Sequence, residues 1–387
     1  MDFSFTEEQE LFRKTIRQWV DEQLPKEYCN ELEQKEHEFP HELWDLFSKA
    51  GFHGVGIDEE YGGQGGDIVT QMILMREIAR NLAGLSWVWG ISSFSGAKSV
   101  GMFGSEEQKK KYLPKLATGD LKFAIAYTEP DGGTDLLGAM KTTAVKDGDG
   151  WRINGQKIWS TAAHVSDYLM LIARTDKNPP KKSLGTTVFL VPTDQDGITT
   201  RQIPKIGMRS VGSCEVFLED AWVSDDNVLG DVGYGFHQSL ATLNNERIML
   251  AALCTGIIDG ALEVALEYIQ QRKAFGKTLS QFQSIHHNIA DMKIMQSQAE
   301  LVTFMAAWRQ QQGLECGIES NMAKIVASEN AGKVADLALQ MHGGMGYAYE
   351  TQPQRYWRDA RLYRIGPIAN EMARNVIAEM MGLPRSF

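Results

Sequence analysis

Glu246 sits in the run Leu243-Asn244-Asn245-Glu246-Arg247-Ile248-Met249-Leu250, which opens a long apolar segment extending through Ile258. At helical spacing its carboxylate shares a face with Leu243, Met249, Leu250 and Leu253. Two chemistries fit a carboxylate so placed. It is either paired and structural, with Arg247 next door as the obvious cation, or held in an apolar site where it takes a proton. Residue types alone favour pairing, because buried carboxylates are usually partnered. Trp87 and Trp89 form a second group, two apart among small residues and on different faces of a helix. Such a cluster suits core packing or the lining of a cavity. The glycines of Tyr61-Gly62-Gly63-Gln64-Gly65-Gly66 invite a phosphate-loop reading. No GxGxxG follows a strand there and no GKS or GKT follows, so a tight interhelical loop is expected. His286-His287 offers no metal site, because adjacent side chains diverge on a helix and no carboxylate is spaced to join them.

The elements that must position these residues follow from pattern. A chain of 387 residues exceeds what one hydrophobic core supports, so two or three subdomains are expected. Residues 1–118 read as helical. Thr6-Glu7-Glu8-Gln9 caps a helix that Pro25 ends, and further helices are predicted at about 40–50, 70–83, 85–103 and 106–116. From about 119 to 235 the period shortens. Strand-like runs occur at Phe123-Ala124-Ile125-Ala126-Tyr127-Thr128, Trp151-Arg152-Ile153-Asn154, 168–173, 187–191, 214–218 and 221–223, with a hairpin turn at Asp147-Gly148-Asp149-Gly150. A small β-sandwich or barrel is implied. From 236 to 387 helix returns, at about 236–270, 280–311, 317–341, 351–358 and 368–381, forming a four-helix bundle. Residues 288–308 read as its core. The fold class is α+β, in the order helical, β, helical.

A net charge of −11 argues against nucleic acid or an anionic membrane as the general partner. The acidic, amphipathic start MDFSFTEEQELFRK is not a secretory signal. No run of 18 apolar residues occurs, so no membrane insertion is expected. Cys29, Cys214, Cys254 and Cys316 are scattered, without metal spacing, as in a reduced cytoplasmic protein.

Four motif stretches give the chain its family likeness. Ala126-Tyr127-Thr128-Glu129-Pro130-Asp131-Gly132-Gly133-Thr134-Asp135 matches a TEPxxGSD signature, with Tyr127 where a small aliphatic residue is usual and Thr134 in place of Ser. Gln340-Met341-His342-Gly343-Gly344-Met345-Gly346-Tyr347, continued by Glu350, Arg355 and Asp359, matches the C-terminal signature. Lys157-Ile158-Trp159-Ser160-Thr161 and Arg272-Lys273-Ala274-Phe275-Gly276 lie between them. Over essentially its full length the chain resembles the acyl-CoA dehydrogenases.

The resemblance implies FAD as cofactor. Thr128 and Thr161 would supply hydroxyls, Tyr127 its backbone and Trp159 a flat wall to the isoalloxazine. Gly343 and Gly344 would let backbone approach the diphosphate, with Arg272 adding charge. Arg272, Phe275, Gln340 and the glycine pair would reach the FAD of a neighbouring subunit, implying a homotetramer built as a dimer of dimers. Gln283, Ala369 and Glu371 complete the implied cofactor set. Thr134, Asn244 and Arg247 form the implied substrate set, with Thr134 at the pantetheine arm and Arg247 at the CoA portion; Trp87, from the aromatic cluster rather than from the resemblance, is the further substrate-binding candidate.

Many relatives carry their proton base in a loop whose gapless match is Ile365-Gly366-Pro367-Ile368-Ala369-Asn370-Glu371-Met372, and the base position holds Pro367. A second group carries it as a Glu directly before an Arg, which Glu246-Arg247 matches. Glu246 is therefore expected to take the α-proton of an acyl-CoA while hydride leaves for the flavin, with an electron-transfer flavoprotein as acceptor. Proline has no N–H, so polarisation of the thioester carbonyl is expected to be non-standard. Other uses of the fold remain open: enoyl-CoA reduction, direct use of O2, redox-neutral elimination, or a non-catalytic FAD-binding partner subunit.

Overall fold

The computed structural model describes residues 4–35 and 38–385, so residues 1–3 of the acidic opening stretch and the last two of the C-terminal region lie outside the described residues. Thr6 caps α1 (Glu7–Gln23) in a reciprocal box with Gln9. A charged helix that the apolar pattern did not reveal, α2 (Lys26–Gln34), follows Pro25. Then come α3 (His41–Lys49), α4 (Ile68–Asn81) and α5 (Ala83–Trp89). The glycine-rich stretch is a tight loop, with Gly62, Gly65 and Gly66 all at positive φ. The helix expected over 85–103 is interrupted by a π-helical turn, Gly90–Gly96, before α6 (Ala97–Phe103) and α7 (Glu106–Thr118). π-turns bulge a helix outward and are frequent at functional sites.

The middle region is an eight-stranded sheet. Its strands are β1 (Phe123–Ala126), β2 (Thr143–Asp147), β3 (Gly150–Thr161), β4 (Tyr168–Arg174), β5 (Thr186–Pro192), β6 (Ile198–Gln202), β7 (Ser213–Ser224) and β8 (Val228–Leu229). The order is β6-β7-β3-β2-β4-β5-β8, with β1 parallel to β4. The runs expected separately at 214–218 and 221–223 are one strand, β7, bent at Asp220, whose φ is 52°. The polar strands β2 and β6 were not anticipated. The Asp147–Gly150 hairpin is, joining β2 to β3. Val216 and Leu218 of β7 share a core with Phe189 and Val191 of β5, and Trp151 of β3 meets Phe189 edge-on. Strands so far apart in the sheet meet only if it curls over on itself.

The chain then runs through α8 (Gly235–Gln271), the hairpin β9 (Lys273–Ala274) and β10 (Lys277–Thr278), α9 (Gln283–Gln311), α10 (Gly317–His342), α11 (Pro353–Leu362) and α12 (Asn370–Met380). Helix α8 is long and apolar enough to cross a membrane, although Thr255 and Asp259 keep it from reading as an unbroken apolar run. Its apolar window is 94% buried against the other helices, as the core of the fold. Gly256 and Gly260 admit α4 closely: a Cβ on either would lie 2.2 Å from a carbonyl oxygen of Arg76 or Arg80. Arg76 bonds Asp259 (2.6 Å) and Glu300 (2.8 Å), stapling α4 to α8 and α9. One apolar core runs through α1–α5 and α8–α11, so the N- and C-terminal helices pack as one body. Residues 288–308 are not simply core: Met292, Ala299 and Ala306 are buried, whereas Ile294, Leu301, Met305 and Trp308 are exposed.

Candidate active site

Glu246 lies in the fourth turn of α8, beside buried Met249, Leu250 and Leu253. No described residue forms a hydrogen bond or ion pair with it. Burial pushes its carboxyl up to about 7 against the weaker opposing pull of Arg247. Adjacent helical residues point about 100° apart, which keeps the two from pairing. Arg247 is 7% exposed and its Nε has no partner. Among the described residues a carboxylate and a guanidinium thus stand side by side and unpaired, the costlier of the two arrangements open to the sequence. Asn244, by contrast, is committed: its Oδ1 accepts a hydrogen bond from Ser320 Oγ of α10 at 2.9 Å.

The facing wall comes from the middle region. In β1, Ala124 and Ala126 point into the sheet core, so Ile125 and, just beyond the strand, Tyr127 point the other way. The Tyr127 phenol reaches α8, where it faces the Ser239 hydroxyl and feels the Glu246 carboxylate. Sequence reasoning assigned a role only to its backbone. The strand end is locked by a pair that reasoning did not single out. Lys157 Nζ donates to Glu129 Oε1 (2.8 Å) and to the Tyr127 carbonyl (3.1 Å). Glu129 also accepts from the backbone N–H groups of Lys141 (2.6 Å) and Thr142 (3.0 Å). Lys157 is wholly buried and Glu129 nearly so, and burial pulls the lysine down to about 8.

Two residues on, β3 carries a bulge between Lys157 and Ser160. Trp159 adopts φ 63° there and is 56% exposed. A bulky residue in the left-handed region is strained and marks a site where the surroundings impose the conformation. The bulge turns a flat indole outward as an open wall. The Thr128 carbonyl accepts from Ile158 N–H at 2.9 Å, while no described residue bonds its hydroxyl. Thr161 Oγ1 accepts from Trp87 Nε1 at 3.3 Å. The two tryptophans are thereby distinguished. Trp89 is core, wholly buried with its N–H on the Phe52 carbonyl, and Trp87 faces the site. Thr134 lies exposed on the loop after Pro130.

Pro367 offers no N–H, and the neighbouring Gly366 N–H is already spent on the Leu362 carbonyl at 3.0 Å. The loop is held by Lys324 of α10, which bonds the Ile368 carbonyl (2.7 Å) and the Asn370 side chain. Lys324 feels both Arg247 and Glu371, which places Glu371 and the adjoining Ala369 at this end of the bundle.

The other anticipated residues gather elsewhere. Arg272 ends α8. At about 1.5 Å per residue it lies roughly 40 Å along the axis from Glu246. Tyr268 stacks on His342 and donates to its carbonyl (3.3 Å), which brings the end of α8 beside Gly343. Gly343 has φ 60° and ψ −138°, a conformation essentially restricted to glycine. A Cβ on Gly344 would meet nothing within 4 Å. Phe275 is 96% exposed, and Gln283 and Gln340 are exposed too. Among the described residues no cluster of His, Cys, Asp or Glu is arranged to hold a metal, and His286 is bonded to the Ser280 carbonyl.

Comparison with known proteins gives three family-model matches: the N-terminal domain of acyl-CoA dehydrogenase over residues 6–120, its middle domain over 124–221 and its C-terminal domain over 233–382. An acyl-CoA dehydrogenase of Bacillus subtilis is 35% identical, over 97% of this chain and 98% of that protein. A caffeyl-CoA reductase-Etf complex subunit, CarC of Acetobacterium woodii, is also 35% identical, over 97% and 99%. The structure of butyryl-CoA dehydrogenase from Megasphaera elsdenii superposes with a TM-score of 0.92 at 33% identity, covering 98% of this chain and 100% of that one.

Proposed function

The chain belongs to the acyl-CoA dehydrogenase family, and on that footing we propose that it oxidises an acyl-CoA thioester to the 2,3-enoyl-CoA with Glu246 as the proton base. Enzymes of this family depend on FAD. The residues present fit that group: an outward indole at Trp159, a free hydroxyl at Thr128, an open glycine pair and an exposed Arg272. When bound, FAD supplies the two-electron acceptor that takes the β-hydrogen as hydride.

The chain's own residues do the rest. Glu246, ionised, takes the α-proton. That no described residue hydrogen-bonds or pairs with it is the observation that carries this reading, because an engaged carboxylate would have to break a bond before it acted. Arg247, buried and unpaired, suits an anionic part of the CoA. With Pro367 lacking an N–H and Gly366 engaged, the thioester oxygen draws its polarisation from elsewhere in the site. Anaerobic titration with a panel of saturated acyl-CoAs tests the reading: bleaching of bound FAD by at least one supports it, and no bleaching across a broad panel rejects it.

A carboxyl held near 7 also sets a pH dependence. As a base Glu246 must be deprotonated, so kcat/KM for oxidation rises with pH through about 7 and then levels. A second reading, reduction of an enoyl-CoA, draws on the likeness to the caffeyl-CoA reductase subunit. In that direction Glu246 would give a proton, and the rate would fall as pH rises through the same value. The sign of the limb separates the two.

Arg272 lies too far from Glu246 for one dinucleotide to touch both, so we assign it, with Phe275, Gln283, Gln340, Gly343 and Gly344, to the FAD of a second copy. The exposed side chains Ile294, Leu301, Met305 and Trp308 on α9 supply apolar surface for such an assembly, read here as a homotetramer. Replacing Arg272 by Ala is expected to weaken FAD binding about tenfold while leaving the folded chain intact; an unchanged Kd would remove this assignment. An electron-transfer flavoprotein is the proposed acceptor and the cytoplasm the proposed location.

A further inference from the structure

The Trp87–Thr161 hydrogen bond joins the N-terminal helices to the middle sheet, and neither of its members is spent elsewhere. Indole Nε1–H can only donate, so at 3.3 Å it occupies a lone pair of Thr161 Oγ1. The threonine hydrogen then has to point away from the indole, and no described residue accepts it. Trp87 is itself held in place. Its ring meets Tyr363 edge-on, with centroids 5.9 Å apart, and the Tyr363 hydroxyl donates to Met208 Sδ at 2.8 Å. Trp87 also lies in the last turn of α5, just before the π-helical turn begins at Gly90.

We infer that Trp87 is a positioning residue that fixes the Thr161 hydroxyl as a hydrogen-bond donor toward the bound flavin, and so sets the electronic character of that flavin. The inference rests on the FAD-dependent reading above and adds the partner that orients the donor. With the indole N–H in place, Thr161 cannot point its own hydrogen toward Trp87 and must donate it elsewhere. Accepting one hydrogen bond also strengthens the one a hydroxyl donates. Neither effect requires Trp87 to touch the cofactor.

Trp87→Phe keeps an aromatic ring on the side of Tyr363 and removes the N–H together with part of the indole, and the Thr161→Val background separates the loss of the N–H from the loss of ring volume. Purified protein with FAD bound is compared for wild type, Trp87→Phe, Thr161→Val and the double variant, reading the FAD reduction potential and the visible absorption bands. Trp87→Phe is expected to change the ratio of reduced to oxidised flavin up to about tenfold at a fixed potential, roughly 30 mV for a two-electron couple. In the Thr161→Val background the same change should have no effect, because the hydroxyl it acts through is gone. A Trp87→Phe protein with unchanged potential and spectrum overturns the inference, as does a shift of equal size in both backgrounds. Failure of the wild-type chain to hold FAD would instead strike at the FAD-dependent reading itself, so the two failures are distinguishable.

Discussion

Glu246→Gln is expected to lower kcat by about 10²- to 10⁴-fold while the protein stays folded and keeps its FAD. Glutamine preserves the shape and polarity of the side chain and removes its capacity to take a proton. Because no described residue bonds or pairs with the carboxylate, the substitution breaks no contact that supports the fold. At neutral pH it also relieves the cost of holding a charge in a buried place. The two chemistries open to the sequence thus predict opposite patterns. A structural carboxylate would give a protein with a lower melting temperature and activity reduced in proportion to unfolding. A base gives an inactive protein with an unchanged or slightly raised melting temperature. Anaerobic substrate bleaching, thermal melting and FAD content, measured on one preparation, separate them. A rate close to wild type would remove Glu246 from the mechanism.

Lys157→Met should be as damaging by a different route. The substitution keeps most of the side chain's length but leaves Glu129 charged and buried without its cation. Breaking one side of a buried ion pair typically costs about 3–5 kcal/mol, a large part of a domain's stability. The Tyr127 carbonyl loses its donor in the same stroke. Since Tyr127 and Thr128 form the edge against which the flavin is expected to lie, loss of FAD should accompany the loss of stability. Changing both partners, Lys157→Met with Glu129→Leu, removes the uncompensated charge. It is expected to recover part of the melting temperature without recovering FAD binding, because the strand end stays unlocked. A single Lys157→Met protein that melts and binds FAD like wild type would show that the pair does not hold this wall.

Much of this architecture is written in periodicity and motif. Helix α8 and its carboxylate stand out because apolar residues recur at helical spacing, and the motif at Glu246-Arg247 points to the residue that the structure leaves unpaired. What escaped has identifiable causes. Strands β2 and β6 are mostly polar and partly exposed, so they carry no apolar alternation to detect. The charge-rich α2 buries Asn30 and Glu33 as well as Cys29 and Leu32, and Glu33 holds the backbone N–H groups of Arg209 and Ser210. A partner 176 residues away leaves no local trace. The Lys157–Glu129 pair escapes for the same reason, although a lysine inside an apolar strand pattern is the signal that could have exposed it. Trp87 and Trp89 were indistinguishable as letters. Their different fates follow from the fold, in which one indole turns to the Phe52 carbonyl and the other to Thr161. For residues 288–308 the apolar pattern was visible but not its division between the core and an exposed face, because the sequence does not say which partner covers each stripe.

Glu246 as the group that takes the α-proton is most directly tested by solvent exchange. Wild-type and Glu246→Gln proteins, each with FAD bound, are incubated anaerobically in D2O with a saturated acyl-CoA that bleaches the wild-type flavin, and deuterium at the α-carbon is followed by mass spectrometry. The prediction is progressive incorporation with the wild type and none above the uncatalysed background with Glu246→Gln. Incorporation by the variant at the wild-type rate would contradict it.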